Sequence, residues 1–275
     1  MTGGLGNQMF IYALYLQMKQ LFPDTRIDLS DMQHYHAHYG YEMHKVFNLP
    51  KEEFCINQTL KKIIEFCVFK TILERKQHGS LMPYRQSYAW PFIYFKGFYQ
   101  SERYFEEVKP LVRQKFTFNM AIINDASRAM AQKIDTDAHA VSLHVRRGDY
   151  LLPKFWKSTG SVCSLNYYMR AIDTILSTDP AASFYIFSDD MAWVKENLRI
   201  PSATYVDFNK ADDSWQDMML MSHCRHHIIC NSTFSWWGAW LSQHADGIVI
   251  APERWFNGTD APHICPERWT KVAVD

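Results

Sequence analysis

The chain lacks the long apolar runs that membrane-spanning helices need. Its 275 residues contain no uncharged apolar run of about 18 residues, and the N-terminus shows no secretory signal pattern. The most apolar stretch, residues 228–241, is interrupted by polar side chains and is too short to span a bilayer. The sequence therefore predicts a soluble cytoplasmic protein with no transmembrane segment. Peripheral association with the inner membrane, through a partner or the substrate, stays open.

The chain also lacks an excess of charge and any Cys-x-x-Cys pair. Lys+Arg and Asp+Glu are both 29, so the formal net charge is zero, whereas nucleic-acid-binding proteins usually show a basic excess. Nucleic acid is therefore not an expected partner. The six cysteines favour reduced thiols in a cytosol, because a chain of this size has enough core without disulfides. Aromatic residues, at 15%, fit either a bulky core or stacking against sugars and bases.

The first polar motif is a glycine-rich turn, formed by glycines 3, 4 and 6, before a predicted helix at Gln8–Leu21. A helix N-terminus of this kind can meet an anion or a sugar. It is not a dinucleotide-binding fingerprint, because Met9 stands where the third glycine is required. Such a turn is normally preceded by a strand, so we expect the first strand of this half to be missing.

The rest of the first half shows mixed patterns. We predict strands at 27–30 and 92–99, an amphipathic helix within 52–78, helices at 102–116 and 120–134, and a linker at 135–139. These assignments rest on apolar periodicity and on turn residues between the segments.

Two clusters have spacings that superficially suit a metal. Histidines 34, 36, 38 and 44 alternate, but no cysteine or carboxylate set accompanies them. Cys224, His226, His227 and Cys230 resemble a zinc motif, but they cross a strand whose period of two splits them between faces. We therefore predict no metal site.

Strands and helices alternate regularly from residue 140. The predicted strands are 140–145, 183–187, 203–206, 227–230 and 247–251, and the helices between them are 165–177, 191–198, 213–222 and 233–243. Short apolar strands alternating with helices predict a parallel, doubly wound sheet. In such sheets, ligands bind beyond the carboxyl ends of the strands.

Three polar clusters follow predicted strands at that edge: His144–Asp149, Ser188–Asp190 and Asn231–Ser235. The forked guanidiniums of Arg146 and Arg147 suit a bidentate anion such as phosphate. Hydroxyl groups and free amides at the helix start after Asn231 can also bind phosphate. The clusters together predict a nucleotide site, in which arginine charge takes the place of a divalent ion.

Five segments resemble the α-1,2-fucosyltransferases of glycosyltransferase family 11: residues 3–13, 97–105, 144–150, 187–190 and 231–241. The resemblance runs nearly end to end. Its His-x-Arg-Arg-Gly-Asp and Asn-Ser-Thr-Phe-Ser-Trp-Trp-Gly motifs are highly specific. The resemblance implies an α/β fold of the GT-B type, with two Rossmann-like domains facing across a cleft. Residues 1–138 would form the acceptor-side domain, and residues 139–275 would bind GDP-fucose.

The activity implied by the resemblance is inverting transfer of L-fucose. GDP-β-L-fucose would be the donor and co-substrate, and the 2-hydroxyl of a terminal galactoside the acceptor. Neither a metal nor another cofactor would be required. By similarity to the wider fucosyltransferase group, Arg146 should meet the β-phosphate, His144 the guanosine and Asn7 the reacting sugar.

The candidate catalytic residues are Arg146, Asp149 and Asn7. The candidate donor-binding residues are His144, Arg147, Asp189, Asp190, Asn231, Ser232, Thr233, Ser235, Gly4, Gly6 and Gln8. Asp149 is a general-base candidate, and a salt bridge to Arg147 is an equal alternative.

A sugar-nucleotide or glycan binding module without turnover is the competing function. A nicotinamide oxidoreductase is a third alternative, but the N-terminal motif of this chain lacks the third glycine that its fingerprint requires. The choice between Gal-β1,3 and Gal-β1,4 acceptors and the oligomeric state stay open.

Overall fold

The structure is a computed structural model of the chain, and it describes residues 1–32, 39–50, 55–57, 59, 61, 70–73 (backbone only), 93–200, 202–258 and 261–275. These residues form two compact units, Met1–Asn119 and Met120–Asp275. The division lies before the predicted boundary at residues 138 and 139. The reason is that the helix at Asp125–Asp135 packs on the helix at Trp215–His223, inside the second unit.

Unit 1 is organised around helix α1, Leu5–Leu21, most of whose residues are buried. The helix packs against a 3-10 helix at Glu102–Val108. The other elements are α2 (Met43–Val46), α3 (Lys109–Lys115), β1 (Lys70–Leu73) and β2 (Ile93–Lys96), and the two strands pair in parallel.

Two predictions for this unit are wrong. Residues 27–30 form no strand, because the Asp28 carboxylate instead accepts hydrogen bonds from the backbone N–H groups of Ser30 and Ile56, at 2.9 and 3.2 Å. Such local bonds from a side chain compete with a strand ladder. Within the helix predicted at 52–78, residues 70–73 are β1, and most of the remaining residues lie outside the described part. The histidines at 34, 36 and 38 lie outside it too.

Unit 2 contains a parallel sheet, as predicted, and this sheet has six strands. Its strands are β3 (Ala140–Val145), β4 (Ser183–Ser188), β5 (Ala203–Val206), β6 (His226–Ile228), β7 (Val249–Pro252) and β8 (Thr270–Val272). They lie in the order β5-β4-β3-β6-β7-β8. The sequence patterns did not predict β8, a three-residue edge strand. Because the chain builds outward from β3 to β5 and then returns to place β6 beside β3, the sheet has its switch point between β3 and β6.

The longer helices of unit 2 are α4 (Asp125–Asp135), α5 (Leu165–Thr178), α6 (Met191–Asn197), α7 (Trp215–His223) and α8 (Thr233–Leu241). Every residue of β3 is buried, as expected for a parallel strand covered on both faces. Val141, Leu143 and Val145 belong to a core with apolar residues of α5 and α6. The alternate residues Ser142 and His144 therefore face the other side of the sheet.

Helices α7 and α8 approach each other closely at Gly238. A Cβ atom on Gly238 would lie 2.9 Å from Cβ of Met221, so the glycine lets the two helices pack. Trp236, Trp237 and Trp240 of α8 are all buried, and the Trp236 indole donates to the carbonyl of Ile264 at 2.8 Å. Among the described residues, no helix combines the length and hydrophobicity that crossing a bilayer requires.

Candidate active site

The carboxyl ends of β3, β4 and β6 bring the three polar clusters to one edge of the sheet. Arg146 directly follows β3, Asp189 follows β4, and Asn231 comes three residues after β6. In register, Val145 pairs with Ser188 and Leu143 with Ile228. The structure therefore brings the predicted clusters of unit 2 together at the switch point, where open α/β sheets bind ligands.

Arg146 is held by two carboxylates. Its Nη2 and Nε atoms lie 2.8 and 3.0 Å from Oδ1 of Asp149, and its Nη1 atom lies 3.1 Å from Oδ2 of Asp189. Burial disfavours the charged guanidinium, but Asp189 and Asp149 outweigh it and raise the pKa of Arg146. The guanidinium side chain keeps 29% of its surface exposed. A charged, oriented and partly accessible guanidinium is suited to a phosphate.

Arg147 has a different set of partners. Its Nε atom donates to Oδ2 of Asp190 at 3.1 Å, and its guanidinium lies over the ring of Trp193. Its backbone N–H donates to Oδ1 of Asp189 at 2.8 Å. The alternative role for Asp149, a salt bridge to Arg147, is therefore wrong, because Asp149 binds Arg146 and Asp190 binds Arg147.

Gly148 is required by the close approach of Asp189. A Cβ atom at this position would collide with the Asp189 carboxylate, which already binds Arg146 and the backbone of Arg147. Any larger residue must displace that carboxylate. The glycine in the arginine motif thus has a packing role.

His144 is a neutral, buried imidazole. Burial, reinforced by the charge of Arg146, lowers its pKa to about 3. Its Nδ1 atom lies 3.3 Å from the Sγ atom of Cys230, and its ring centroid lies 5.8 Å from that of Phe234. Burial also raises the pKa of Cys230 to about 12. The pair is therefore imidazole and thiol, and carries no charge near neutral pH.

Asn231 forms hydrogen bonds to residues before α5 and after β7. Its Nδ2 donates to the carbonyls of Thr159 and Trp255, at 3.0 and 3.1 Å, and its own carbonyl accepts the hydroxyl of Tyr150 at 2.9 Å. Its Oδ1 accepts from Cys163 at 3.6 Å. These contacts give the Asn231 side chain a structural role, and a direct donor contact stays a prediction.

Helix α8 starts at the same edge with a capped N-terminus. The Oγ atom of Ser232 accepts the backbone N–H of Phe234 at 3.3 Å. The hydroxyl of Ser235 is buried and donates to the carbonyl of Ser232 at 3.3 Å. Thr233, in contrast, is only half-buried. The helix dipole and first-turn amides favour an anion here, with Thr233 the most accessible hydroxyl of the three.

A fourth polar cluster, which the sequence patterns did not predict, follows β5. The buried Asn209 donates to Oγ of Ser127 and to Oδ1 of Asp217, both at 2.9 Å, and its Oδ1 accepts from Asn124 at 2.8 Å. Burial raises the pKa of Asp217 to about 7, although Asn209 opposes the shift. A polar residue just after a predicted strand was the available signal.

The glycine-rich turn of unit 1 forms the N-terminus of α1. The carbonyl of Gly4 accepts the N–H groups of Asn7 and Gln8, at 2.9 and 3.1 Å, and Gly6 is buried in the first turn. Gly3 has φ +88°, which a side chain rarely adopts, and a Cβ there would lie 2.8 Å from Nδ2 of Asn7. Asn7 is half-buried, and its Oδ1 accepts from Gln100 at 2.7 Å.

Gln8 is completely buried, and its amide bonds to backbone groups of the described residues. Its Nε2 donates to the carbonyls of Gly3 and Gly40, at 3.0 and 2.7 Å, and its Oε1 accepts the N–H of Glu42 at 2.9 Å. Gln8 therefore joins the turn to the segment before α2. A direct contact between Gln8 and the donor stays a prediction.

The residues with zinc-like spacing separate in the structure. Nδ1 of His227 lies 2.8 Å from the hydroxyl of Ser142, whereas Nδ1 of His226 accepts from the backbone of Ile248 at 2.9 Å. Cys224 and Cys230 are free thiols with other partners. Within the described ranges, no group of three or more His, Cys, Asp or Glu residues is arranged to hold a metal ion.

Comparisons with known proteins agree with the motif resemblance. The family model described as glycosyl transferase family 11 matches residues 1–270. The alpha-1,2-colitosyltransferase of Escherichia coli is 33% identical over an alignment of 284 positions, which covers 99% of this chain and 97% of that protein. The O-antigen biosynthesis glycosyltransferase WbnK of Escherichia coli is 26% identical over an alignment of 304 positions, which covers 99% of each protein.

Two further similarities are partial. Human galactoside alpha-(1,2)-fucosyltransferase 1 is 30% identical over 161 residues, which cover 55% of this chain and 44% of the human protein. The crystal structure of NodZ alpha-1,6-fucosyltransferase soaked with GDP-fucose matches 50% of this chain and 47% of that chain, at 17% identity and a TM-score of 0.37.

Proposed function

Because the chain belongs to glycosyl transferase family 11, we propose that it transfers L-fucose from GDP-β-L-fucose to the 2-hydroxyl of a terminal galactoside. Membership of this family makes the chain a glycosyltransferase, which favours an enzyme over the binding module without turnover. Relatives named for α-1,2 transfer support the position of the new bond. The donor, the acceptor and inversion at the anomeric carbon are the proposal.

One observation carries the donor assignment. Arg146 and the N-terminus of α8 follow the neighbouring strands β3 and β6 at the switch point of the sheet. A guanidinium and a helix N-terminus at one sheet edge supply positive charge and N–H donors for a diphosphate. Arg146 binds the β-phosphate in this proposal, and Thr233 with the α8 amides binds the same diphosphate.

The proposed reaction is a single displacement. The acceptor hydroxyl attacks C1 of fucose on the face opposite the departing GDP, GDP leaves with the electrons of the C1–O bond, and the hydroxyl proton passes to water. The β-linked donor therefore gives an α-linked product. Negative charge rises on the β-phosphate as the bond to C1 breaks. Arg146 therefore stabilises the transition state more than the ground state, an effect that typically contributes about 3–4 kcal/mol. Because a fixed guanidinium can take the role of a divalent ion here, we propose that turnover requires no metal.

Asp149 positions Arg146 in this scheme. One oxygen of its carboxylate accepts two hydrogen bonds from the guanidinium, and this contact fixes the orientation of Arg146. In unit 1, Asn7 is proposed to face the reacting sugar, while Gly3 and Gln8 hold its turn. The two units would act as the two Rossmann-like domains of a GT-B enzyme.

Colitose is a second candidate for the transferred sugar. A relative aligned over 99% of this chain is named an alpha-1,2-colitosyltransferase. Colitose is fucose without its 3-hydroxyl, so the two donors present the same GDP group to the phosphate site. The choice between them depends on contacts to one hydroxyl.

The deciding experiment is a donor and acceptor screen on the purified protein. GDP-fucose and GDP-colitose are each offered with a Gal-β1,3 and a Gal-β1,4 acceptor. GDP release is measured with and without EDTA, and NMR identifies the product linkage. We expect acceptor-dependent GDP release, an α-1,2-fucosylated product and no effect of EDTA. Transfer of colitose alone would replace the donor, and binding of GDP-fucose without any release of GDP would contradict turnover.

A further inference from the structure

The segment after the arginine motif presents apolar side chains to solvent. Residues 150–160, here called the 150–160 loop, run through successive single helical turns. Leu151, Leu152 and Trp156 are exposed by 43%, 47% and 46%. The N–H of Trp156 donates to the carbonyl of Leu152 at 2.9 Å, so these two residues are one helical turn apart. Exposed apolar groups clustered in this way mark an interaction surface.

The base of the 150–160 loop is fixed to the rest of unit 2. A Cβ atom on Gly160 would collide with the carbonyl of Tyr150, so the two ends of the loop touch. The N–H of Asn257 donates to the carbonyl of Ser158 at 2.8 Å, and Asn231 donates to the carbonyl of Thr159 at 3.0 Å. The exposed residues are therefore held in place by an anchored base.

The charges of the 150–160 loop have one sign. Lys154 and Lys157 are both exposed, and residues 150–164 include no Asp or Glu. Neither lysine forms an ion pair with a carboxylate of the described part of the chain. Lys154 lies over the ring of Phe155 instead, with Nζ 4.6 Å from the centroid. The surface thus combines leucines and an indole with uncompensated positive charge.

We propose that the 150–160 loop docks this protein on an anionic lipid bilayer surface. Tryptophan prefers the boundary between headgroups and acyl chains, leucine side chains bury their surface just below it, and lysines are attracted to anionic headgroups. A glycan fits the surface less well, because Leu151 and Leu152 offer its hydroxyl groups no hydrogen bond. Bilayer docking is independent of which sugar is transferred.

The test is binding of the full chain to vesicles. One vesicle preparation is phosphatidylcholine alone, and in the other about a third of the lipid is phosphatidylglycerol. The apolar variant is L151S/L152S/W156S, and the charge variant is K154Q/K157Q. The matched control is M120S/I122S, which changes two side chains that are each 42% exposed in a segment without lysine. Sedimentation gives the partition coefficient, and circular dichroism confirms that each variant is folded.

We expect the wild type and the control to bind the anionic vesicles more strongly than the neutral ones. The charge variant should lose about 10-fold or more of this binding, since each lysine contributes about fivefold near an anionic surface. The apolar variant should lose a similar factor on anionic vesicles and keep its KM for a soluble galactoside. Equal binding to both vesicle types, unchanged partition of either variant, or a raised acceptor KM with unchanged partition would overturn the proposal.

Discussion

The guanidinium carbon of Arg147 lies 4.0 Å from the ring centroid of Trp193. Asp190 contacts both residues: its Oδ2 accepts from Nε of Arg147, and its Oδ1 accepts the backbone N–H of Trp193. Arg147 therefore braces the N-terminus of α6. Its neighbour Arg146 is the arginine that is proposed to face the diphosphate, so the two adjacent arginines have separate roles.

Replacing Arg147 should therefore affect stability more directly than chemistry. We expect R147A to lower the free energy of unfolding by about 1–2 kcal/mol, through loss of the ring contact and the ion pair. R147K keeps the charge but not the planar stack and should recover only part of this loss. Urea unfolding of R147A, W193A and the double variant should give a coupling energy of about 0.5–1 kcal/mol. Additive losses would show that the contact contributes nothing.

Replacing Arg146 should affect chemistry instead. We expect R146A to lower kcat by roughly 10²–10³, the usual loss when a preorganised donor to a developing charge is removed. The readout is GDP release from GDP-fucose with a galactoside acceptor. Near-normal turnover by R146A would contradict the phosphate assignment.

The variant D149N separates the two roles of Asp149. Its amide oxygen still accepts one bond from Arg146, so a positioning role predicts a loss of about tenfold or less. A general base would lose roughly 10²–10⁴ and the acidic limb of the pH–rate profile with it. A loss of that size in D149N, with GDP affinity unchanged, would assign proton transfer to Asp149.

Gly148 should tolerate no side chain. In G148A the added methyl group collides with the Asp189 carboxylate, which must move away from Arg146. We expect kcat/KM for the donor to fall by about tenfold or more. The variant D189N, which keeps the volume of the side chain but loses its charge, should also lower kcat/KM for the donor. Unchanged donor kinetics in G148A would show that Asp189 does not orient Arg146.

Asp217 should make stability depend on pH. Burial raises its pKa from 3.8 to about 7, so the folded protein holds a proton that the unfolded chain releases. The stabilisation is complete below about pH 4 and is lost as the pH rises towards 7. D217N removes this dependence. Relative to D217N, the wild type should therefore lose about 1–3 kcal/mol in urea unfolding between about pH 5 and pH 8. A constant difference would contradict the raised pKa.

The second half of the fold was largely predictable from the sequence. Short apolar strands such as Ala140–Val145 and Ser183–Ser188, with periodic helices between them, predict the parallel sheet that the structure shows. Polar residues directly after the strands predict which edge holds the site, because parallel strands all end at the same side. Local patterns succeed here since each strand and helix is regular over its own length.

The partners within the site were not predictable in the same way. Asp149 is close to Arg147 in the sequence, whereas Asp190 lies beside Arg147 on the neighbouring strand end. Only the geometry of the turn decides that Asp190 binds Arg147. Side chains such as Gln8 and Asn231 look like ligand contacts in a motif, yet their amides bond to backbone from distant segments. In the first half, the bonds of Asp28 outweighed the strand propensity of residues 27–30. Long-range contacts of this kind leave no periodic signal.

The switch point between β3 and β6 also has a consequence for biosynthesis. A nascent chain that has emerged as far as β5 already contains both arginines and Asp189, but not the N-terminus of α8. The gap beside β3 is filled only when His226–Ile228 enters the sheet as its neighbour. Closing so long a stretch of chain is slow compared with local structure. The proposed anion site therefore cannot be complete before this strand is in place, and one edge of β3 is left unpaired until then.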